Sequence, residues 1–406
     1  MNKYCSKYLK YKKKYLNIIR NNIICNNIIE KKNIKGGSID NSNLGHINII
    51  NNNVILYAIG DIHGDFELLK YILTKLLNVA TYNSNNDTFT WKKDSKNIYL
   101  IFNGDLVDRG GRNEKVVDIE KSDIKIIENL IYLKEQAQSI NSDILLMCGN
   151  HELMIFNQDF RYSTLDKDQK KYIKKGSTFS KLYADNVLGL LRINNIIFAH
   201  GGVCKEMFEP STYNVDFKNV DIFNYINNLI RKWLYNKSLS IQEQKNMNIL
   251  LFGDSASPMW CRTFGYKKEN DITCGNEIDE DVFQNLNNVI PEEYQKQKRM
   301  IIAHTHQTDG INQTCNGKVW RIDTGMSRAF DKHIEDKSKD TLKRLKEKYK
   351  NGNSRKIQVL KISMNNNNLF TNFKIIDSQF RTYDLIKNTE SLDKCIQYPK
   401  LKYCKK

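Results

Sequence analysis

VILYAIGDIHGDFELLKYILTKLL, residues 54–77, combines a predicted strand, a turn and a predicted helix. Its first six residues are apolar and rich in β-branched side chains, which predicts a buried strand. Its last twelve carry apolar side chains at helical spacing, and the glycines of GDIHG (60–64) allow a sharp turn between the two elements. Asp61 and His63 therefore stand where a strand ends and a helix begins.

The same arrangement of a strand followed by polar residues returns four more times along the chain. Apolar runs at 97–102, 143–148, 195–199 and 300–303 predict strands, and helical stretches between them, such as 222–234, predict an α/β layered core. The polar motifs that follow these runs are NGDLVDRG (103–110), GNHE (149–152), HGG (200–202) and HTH (304–306). Because sites form where the carboxyl ends of strands open into loops, we expect the motifs to converge.

The donor atoms in these motifs are carboxylates, imidazoles and an amide oxygen. This mixture suits Mn, Fe or Zn, whereas an all-oxygen set suits Mg or Ca. One such motif alone is a weak signal, because GDxHG can be a plain turn and a histidine after a strand is usually structural. Five motifs in order, each at the end of a strand, predict a metal site.

GDIHG, GDLVDRG and GNHE resemble the three signature motifs of the phosphoprotein-phosphatase branch of the calcineurin-like metallophosphoesterases. The similarity extends through FAHGGV (198–203) and IIAHTHQ (301–307). SPMWCR (257–262) and IDTGMSRAF (322–330) resemble the Shewanella-like and bacterial-type phosphatases in particular. The resemblance implies an α/β (α+β) fold, a four-layer β-sandwich flanked by helices, with a binuclear metal site at the carboxyl ends of the strands.

The resemblance also implies a ligand set for two divalent metal ions, which would be Mn, Fe or Zn. Asp105 would bridge the ions, and the full set is Asp61, His63, Asp105, Asn150, His200 and His304. A hydroxide held between the ions would attack phosphorus in line. His151, oriented by Asp108, would protonate the leaving alkoxide.

The same comparison points to residues that would hold the substrate phosphate. Arg109 and Asn150 are the first candidates. The planar guanidinium group of Arg109 can donate two parallel hydrogen bonds to phosphate oxygens. Arg262 is the candidate second arginine, although a packing role beside Trp260 stays open. Arg328 is a weaker candidate. His306 departs from the common pattern of the family and is expected to have no ligand role.

The function implied is metal-dependent phosphomonoester hydrolysis by a protein serine/threonine phosphatase acting on a phosphoprotein or a phosphorylated small molecule. A bis(5′-nucleosyl) polyphosphate hydrolase is the nearest alternative, because its relatives carry nearly the same motifs. A nuclease is disfavoured by Glu152 and Arg109. A catalytically inactive binding protein is disfavoured because all six expected ligands are present, together with His151 and Asp108.

The net charge of +17 is concentrated at the N-terminus. Residues 1–35 carry ten lysines and arginines against one acid, and their tyrosines recur at helical spacing. This segment predicts contact with a polyanion or a partner, although AT-rich codon usage explains the composition equally well. It also resembles N-termini found on proteins of giant amoebal DNA viruses, an origin that would place the protein in host cytoplasm or in the virion.

The chain is expected to divide into a basic helical extension (1–37), a linker (38–53), a catalytic domain (54–385) and a basic tail (386–406). Residues 331–350 look like a solvated helical insertion, and RKIQVLKI (355–362) predicts an antiparallel strand followed by a hairpin. No apolar run is long enough to span a bilayer and no secretory signal is seen, so we expect a cytoplasmic protein. Nine cysteines without a CxxC pair are therefore expected to stay reduced.

Overall fold

The structure is a computed structural model, and it describes residues 44–51, 53–110, 122–330 and 356–381. All of these residues belong to one unit, which spans residues 41–406. The predicted N-terminal helix, the insertion at 331–350 and the tail at 386–406 lie outside the described residues. Within the described part of the chain, no helix is long and apolar enough to cross a membrane.

The strands of the described residues form two six-stranded sheets and one two-stranded sheet. In chain order they are β1 (His46–Ile47), β2 (Ile55–Ile59), β3 (Ala80–Asn83), β4 (Thr88–Trp91), β5 (Ile98–Phe102), β6 (Asp143–Met147), β7 (Val187–Leu188), β8 (Leu190–Ile193), β9 (Ile196–Ala199), β10 (Arg299–Ile302), β11 (Asn312–Thr314), β12 (Val319–Arg321), β13 (Lys356–Met364) and β14 (Phe370–Arg381). The apolar runs that predicted strands all form strands.

The order of the strands brings the motif-bearing ends together. One sheet has the order β14-β13-β2-β5-β6-β7, and its β2, β5 and β6 are parallel. The other has the order β1-β8-β9-β10-β12-β11, and its β9 and β10 are parallel. Strand β13 runs antiparallel to β2 and is joined to β14 by a hairpin, as the alternating sequence predicted.

The helices lie between the strands. They are α1 (Phe66–Tyr71), α2 (Asp123–Gln138), α3 (Asn150–Phe156), α4 (Lys167–Tyr172), α5 (Thr178–Ala184), α6 (Pro210–Tyr213), α7 (Ile222–Leu234), α8 (Ile241–Phe252) and α9 (Cys274–Ile278). Asp65 caps α1 by accepting from the Leu68 amide, and α1 continues as a π-helical segment, Ile72–Leu76. The helix predicted over 222–234 has the same bounds as α7.

The two large sheets pack against each other across a shared apolar core. Leu56 and Ile101 from one sheet join Phe198 and Ile301 from the other in one cluster, and all four are fully buried. Burying each such side chain contributes about 1.5–3 kcal/mol relative to leaving it exposed. A larger cluster lies between the sheets' outer faces and the helices. The prediction of a helix-flanked β-sandwich is confirmed.

Part of the predicted linker belongs to the sandwich. Strand β1 pairs in parallel with β8, and Leu44 and Ile49 on either side of β1 are buried. His46 is held between Arg192, which donates to its Nδ1 at 2.9 Å, and Asp221, which accepts from its Nε2 at 2.8 Å. Residues 44–49 of the predicted linker thus include an edge strand and two buried flanking side chains.

Candidate metal centre

Four of the predicted site residues adopt a left-handed backbone conformation. The φ angles are 44° at His63, 51° at Asp105, 69° at Asp108 and 63° at His304. Side chains other than glycine rarely occupy this region, although Asp, Asn and His tolerate it best. Such outliers persist only where the surrounding structure enforces them, and they cluster at functional sites. The loops after β2, β5 and β10 therefore contain tight turns at the positions of the predicted site residues.

Buried Glu152 holds the loop that carries Asp105. Its carboxylate accepts from the backbone amides of Gly149 at 2.8 Å, Asp105 at 2.9 Å and Leu106 at 2.7 Å. Burial and the nearby Asp105 carboxylate raise the pKa of Glu152 to about 7. Sequence reasoning used Glu152 only to argue against a nuclease and missed this positioning role, which depends on contacts between two strand-end loops.

Glycine is required where these loops meet. Gly104 has a φ of 93°, and a Cβ added there would lie 2.6 Å from His200 Nδ1. A Cβ on Gly149 would overlap Asp105 Oδ1. The loops after β5, β6 and β9 therefore approach one another more closely than any side chain would permit.

The Asp105 carboxylate lies at the centre of the assembled site. Its Oδ2 is 3.2 Å from His200 Nε2, 3.8 Å from His63 Nε2 and 3.9 Å from His151 Nε2. His63, Asp105 and His151 form one group of mutually close donor atoms, and Asp105, His200 and His304 form a second. Asp105 belongs to both groups, which is the geometry expected of a bridging ligand.

Two further predicted ligands complete the cluster. Asp61 Oδ2 lies 3.6 Å from His63 Nε2, and Asn150 Oδ1 lies 3.1 Å from His200 Nε2. All six predicted ligands are buried, and the structure brings them together from the ends of five different strands: Asp61, His63, Asp105, Asn150, His200 and His304.

Backbone carbonyls orient two of the imidazoles. His63 Nδ1 donates to the carbonyl oxygen of Val107 at 3.1 Å, and His200 Nδ1 donates to that of Asn103 at 2.7 Å. Because a carbonyl oxygen can only accept, both Nδ1 atoms carry the proton in the neutral ring. Each Nε2 is then the lone-pair atom, and each faces Asp105, as metal-binding histidines require.

The buried charges of the cluster are strongly coupled. Burial, with the neighbouring carboxylates of Asp323 and Asp105, raises the pKa of Asp61 well above its usual range. Burial would also raise the pKa of Asp105, but the imidazoles of His200, His151 and His63 bring it well below that range. Three carboxylates packed this closely either keep a proton among them or need positive charge nearby.

The residues present fit divalent metal ions. Asp61 Oδ1 and His304 Nε2 are buried and have no hydrogen-bond partner among the described residues. An unsatisfied buried polar atom costs about 1–3 kcal/mol, and a coordinated cation would satisfy both of these atoms. The mixed carboxylate, imidazole and amide donors match transition-metal sites.

His151 and Asp108 form a hydrogen-bonded pair beside this cluster. His151 Nδ1 lies 2.7 Å from Asp108 Oδ2, and both side chains are buried. The His151 amide donates to Asp105 Oδ1 at 2.9 Å, so the start of α3 is fastened to the central carboxylate. The imidazole is thus fixed with its Nε2 edge turned toward the site.

The arginines singled out from the sequence have different surroundings. Arg109 has a buried Nε without a hydrogen-bond partner among the described residues. Arg262 Nη1 donates to the His304 carbonyl at 2.9 Å and to Thr305 Oγ1 at 3.2 Å, which places it beside a predicted ligand. Arg328 instead clamps the buried carboxylate of Asp65 through its Nε and Nη2 atoms. Arg328 is therefore a structural residue.

His306 lies at the margin of the site. Its Nε2 is 3.3 Å from Asp323 Oδ2, its ring is 4.0 Å from that of Phe330, and 38% of its side chain is exposed. The Phe330 ring in turn packs edge-on against His63 at 5.0 Å. His306 belongs to neither group of close donor atoms.

The expectation that the cysteines stay reduced is wrong for four of them. The described residues contain two disulfides, Cys204–Cys261 and Cys274–Cys315, while Cys148 is a buried thiol. Cys204 and Cys261 are 57 residues apart, and cysteine spacing alone does not reveal connectivity. The first disulfide joins the loop after β9 to the loop that carries Arg262.

Two groups of possible metal donors that share Asp105, with a histidine–aspartate pair beside them, are typical of one class of protein: the metal-dependent hydrolases of phosphoric esters. The chain belongs to the calcineurin-like phosphoesterase family, whose sequence profile matches residues 56–308. The family resemblance inferred from the motifs is confirmed.

Three known proteins illustrate the similarity. The chain is 26% identical over 323 residues to Shewanella-like protein phosphatase 2 of Arabidopsis thaliana, which covers 67% of this chain and 71% of that protein. It is 28% identical to an uncharacterised protein of Acanthamoeba polyphaga mimivirus, over 50% of this chain and 90% of that one. The structure of a cold-active protein tyrosine phosphatase shares the fold, with a TM-score of 0.51, 18% identity and 80% coverage of both chains.

Proposed function

We propose that this chain is a protein serine/threonine phosphatase. The observation that carries the proposal is the 2.7 Å pair of His151 and Asp108 beside the central carboxylate Asp105. Phosphoserine and phosphothreonine are alkyl esters whose leaving alkoxide is a strong base. A site built for them needs an acid at the leaving group, and this pair supplies one.

The ligands of the two proposed metal positions share Asp105. Asp61, His63 and Asp105 would hold one ion, and Asp105, Asn150, His200 and His304 would hold the other. When bound, the ions would supply Lewis acidity that activates water and offsets phosphate charge. Mn, Fe and Zn all suit these donors.

His151 is proposed as the general acid. Its Nδ1–H donates to Asp108, so the proton available for transfer is the one on Nε2, the edge that faces Asp105 at 3.9 Å. The buried Asp108 carboxylate fixes the orientation of the ring. A positioned acid of this kind contributes about 10²–10⁴-fold to the rate.

Arg109 and Arg262 are proposed to hold the phosphate. Arg109 follows Asp108 directly and keeps its buried Nε without a protein acceptor among the described residues. Arg262 is anchored through Nη1 to the His304 carbonyl. Asn150 would contribute its side-chain amide. Planar guanidinium forks from two sides would orient the phosphoryl group for in-line attack.

The proposal also draws on the relatives. Shewanella-like protein phosphatase 2 carries the name of a protein phosphatase and aligns over two thirds of this chain. Specificity in such enzymes lies in the loops around the common site, which differ between proteins of the same fold.

A paired assay on the full chain after reconstitution with Mn tests the proposal. One phosphopeptide sequence would be prepared with phosphoserine and with phosphotyrosine, and diadenosine tetraphosphate would be the third substrate. We expect kcat/KM to be highest for the phosphoserine peptide. A higher kcat/KM for diadenosine tetraphosphate would replace the proposal with the polyphosphate hydrolase, and a strong preference for phosphotyrosine would overturn the serine/threonine assignment.

A further inference from the structure

A lysine-rich surface follows the helix that carries His151. Residues 167–175, here called the lysine segment, contain five lysines and one acid, Asp168. They form α4 and the turn after it. Lys167, Lys171 and Lys174 are exposed.

The loop between α3 and the lysine segment borders the proposed catalytic pair. The ring of Tyr162 lies 5.3 Å from the ring of His151, between centroids. The carbonyl oxygen of Tyr162 accepts from the Gly110 amide at 2.7 Å, which fastens this loop to the VDRG turn. The lysine segment begins at Lys167, five residues after Tyr162. Five residues of extended chain span at most about 17 Å, so the residues that flank a phosphorylated residue in the site can reach the same distance.

The charges of the lysine segment are not neutralised by the protein. None of its five lysines forms an ion pair with a carboxylate among the described residues, whereas two nearby arginines do: Arg161 pairs with Asp159 at 2.7 Å and Arg231 with Asp185 at 2.9 Å. Unpaired lysines next to a site that binds a dianion favour an anionic ligand.

Two of the lysines are held in place by aromatic rings. The Lys170 ammonium lies 4.6 Å from the centre of the Phe160 ring, and the Lys175 ammonium lies 4.5 Å from that of Trp233. Buried Ile173 anchors the end of α4. The ammonium groups of Lys170 and Lys175 are therefore held against the fold, while Lys167, Lys171 and Lys174 extend into solvent.

We propose that the lysine segment binds acidic residues that flank the phosphorylated residue of a polypeptide substrate; this rests on the proposed phosphatase function. Proteins that bind single-stranded nucleic acid stack bases on open aromatic faces. Here the faces of Phe160 and Trp233 are occupied by lysine ammonium groups. Lysines act as point charges, which suits carboxylates scattered along an extended peptide.

The test compares two phosphoserine peptides that differ only in their flanks, one with three glutamates and one with three glutamines. The ratio of kcat/KM for the acidic peptide to that for the neutral peptide would be measured for three proteins: the wild type, Lys171→Gln/Lys174→Gln, and the control Lys361→Gln/Lys374→Gln. The control lysines lie on β13 and β14, at one edge of their sheet. Strand β7, which follows the lysine segment in the chain, lies at the opposite edge.

We expect the wild type and the control to prefer the acidic peptide about five- to tenfold at low salt, since exposed ion pairs are individually weak. The preference should fall toward one in 1 M salt, where the screening length is about 3 Å, and in the Lys171→Gln/Lys174→Gln variant. A wild-type ratio of one, or an equal ratio in that variant, would overturn the proposal.

A further arm separates the two proposals. If the wild type hydrolyses p-nitrophenyl phosphate but neither peptide, the phosphatase function fails, and the lysine segment has no peptide to bind. If the lysine substitutions reduce kcat/KM for diadenosine tetraphosphate while the peptide ratio stays unchanged, the segment serves a polyphosphate and the peptide proposal is wrong.

Discussion

His151 Nδ1 lies 2.7 Å from Asp108 Oδ2, although the two residues are 43 positions apart, His151 in the first turn of α3 and Asp108 on the loop after β5. Asp108 reaches this position through a left-handed backbone with a φ of 69°. This contact distinguishes His151, the proposed acid, from the proposed metal ligands. Its Nδ1 edge is hydrogen-bonded to the Asp108 carboxylate, while its Nε2 edge faces the site.

Removing the imidazole should affect alkyl esters more than aryl esters. We expect His151→Ala to lower kcat for a phosphoserine peptide by about 10²–10⁴-fold and to lower it far less for p-nitrophenyl phosphate, whose leaving group needs little protonation. Steady-state kinetics with both substrates, and with Asp108→Asn as a second route to the same loss, would check this. Equal losses on both substrates would argue that His151 is not the acid.

Asp105→Asn should abolish turnover of every substrate. The substitution removes the carboxylate that lies 3.2–3.9 Å from His200, His63 and His151, so both proposed metal positions lose a ligand. Metal content after gel filtration, measured by atomic emission, should fall from about two ions per chain. Asp185→Asn, which alters an exposed ion pair with Arg231, serves as the control. Full activity in Asp105→Asn would sink the site assignment.

Arg109→Lys should weaken phosphate binding. Lysine keeps the charge but loses the planar fork, so we expect KM for a phosphopeptide and Ki for inorganic phosphate to rise together by about tenfold. Arg231→Lys, at a surface ion pair, should leave both constants unchanged. An unchanged Ki in Arg109→Lys would show that the guanidinium does not contact phosphate.

Arg328→Met should destabilise the fold in a pH-dependent manner. Burial would raise the pKa of Asp65, but Arg328, with Arg109 nearby, lowers it from 3.8 to about 2. This pair therefore stabilises the folded state above about pH 4, and its contribution is lost as pH falls toward 2. Without Arg328 the buried carboxylate is left uncompensated, which costs about 3–5 kcal/mol near pH 7.

Urea unfolding of wild type and Arg328→Met, with a chelator present at each pH, measures this difference. We expect the difference in the free energy of unfolding between the two proteins to decrease as the pH is lowered from 7 to 4, because protonation of Asp65 removes the unpaired charge in the variant. A gap that stays constant over this range would mean that the loss arises from packing and not from the ion pair.

Reduction of the two disulfides should lower stability. The paired cysteines are 57 and 41 residues apart in the sequence. A cross-link that closes a loop of this length stabilises the folded state by about 4 kcal/mol, because it restricts the unfolded chain. We expect the guanidinium midpoint to fall in dithiothreitol. On addition of dithiothreitol, the midpoint of the variant Cys204→Ser/Cys261→Ser should fall less than that of the wild type, because the variant has one of the two disulfides left to reduce. A midpoint insensitive to dithiothreitol in the wild type would contradict both pairings.

The sequence predicted the strands and the residues of the site because both signals are local. A buried strand such as β5 is an unbroken apolar run, and the donor residues follow directly in the next few positions. Helix α7 was equally readable, since its apolar residues recur at helical spacing. The order of five such units was enough to indicate one family.

The contacts between these elements depend on the tertiary structure and could not be predicted from the sequence. Glu152 reaches the amides of Asp105 and Leu106, Arg328 reaches Asp65 across 263 residues, and Cys204 meets Cys261. None of these pairings follows a local period, because each depends on which strand ends the sandwich brings side by side. GDIHG by itself therefore predicted a strand, a turn and two candidate ligands, whereas the close packing of the loops around Asp105 set the distances between these side chains, their charges and their proposed chemistry.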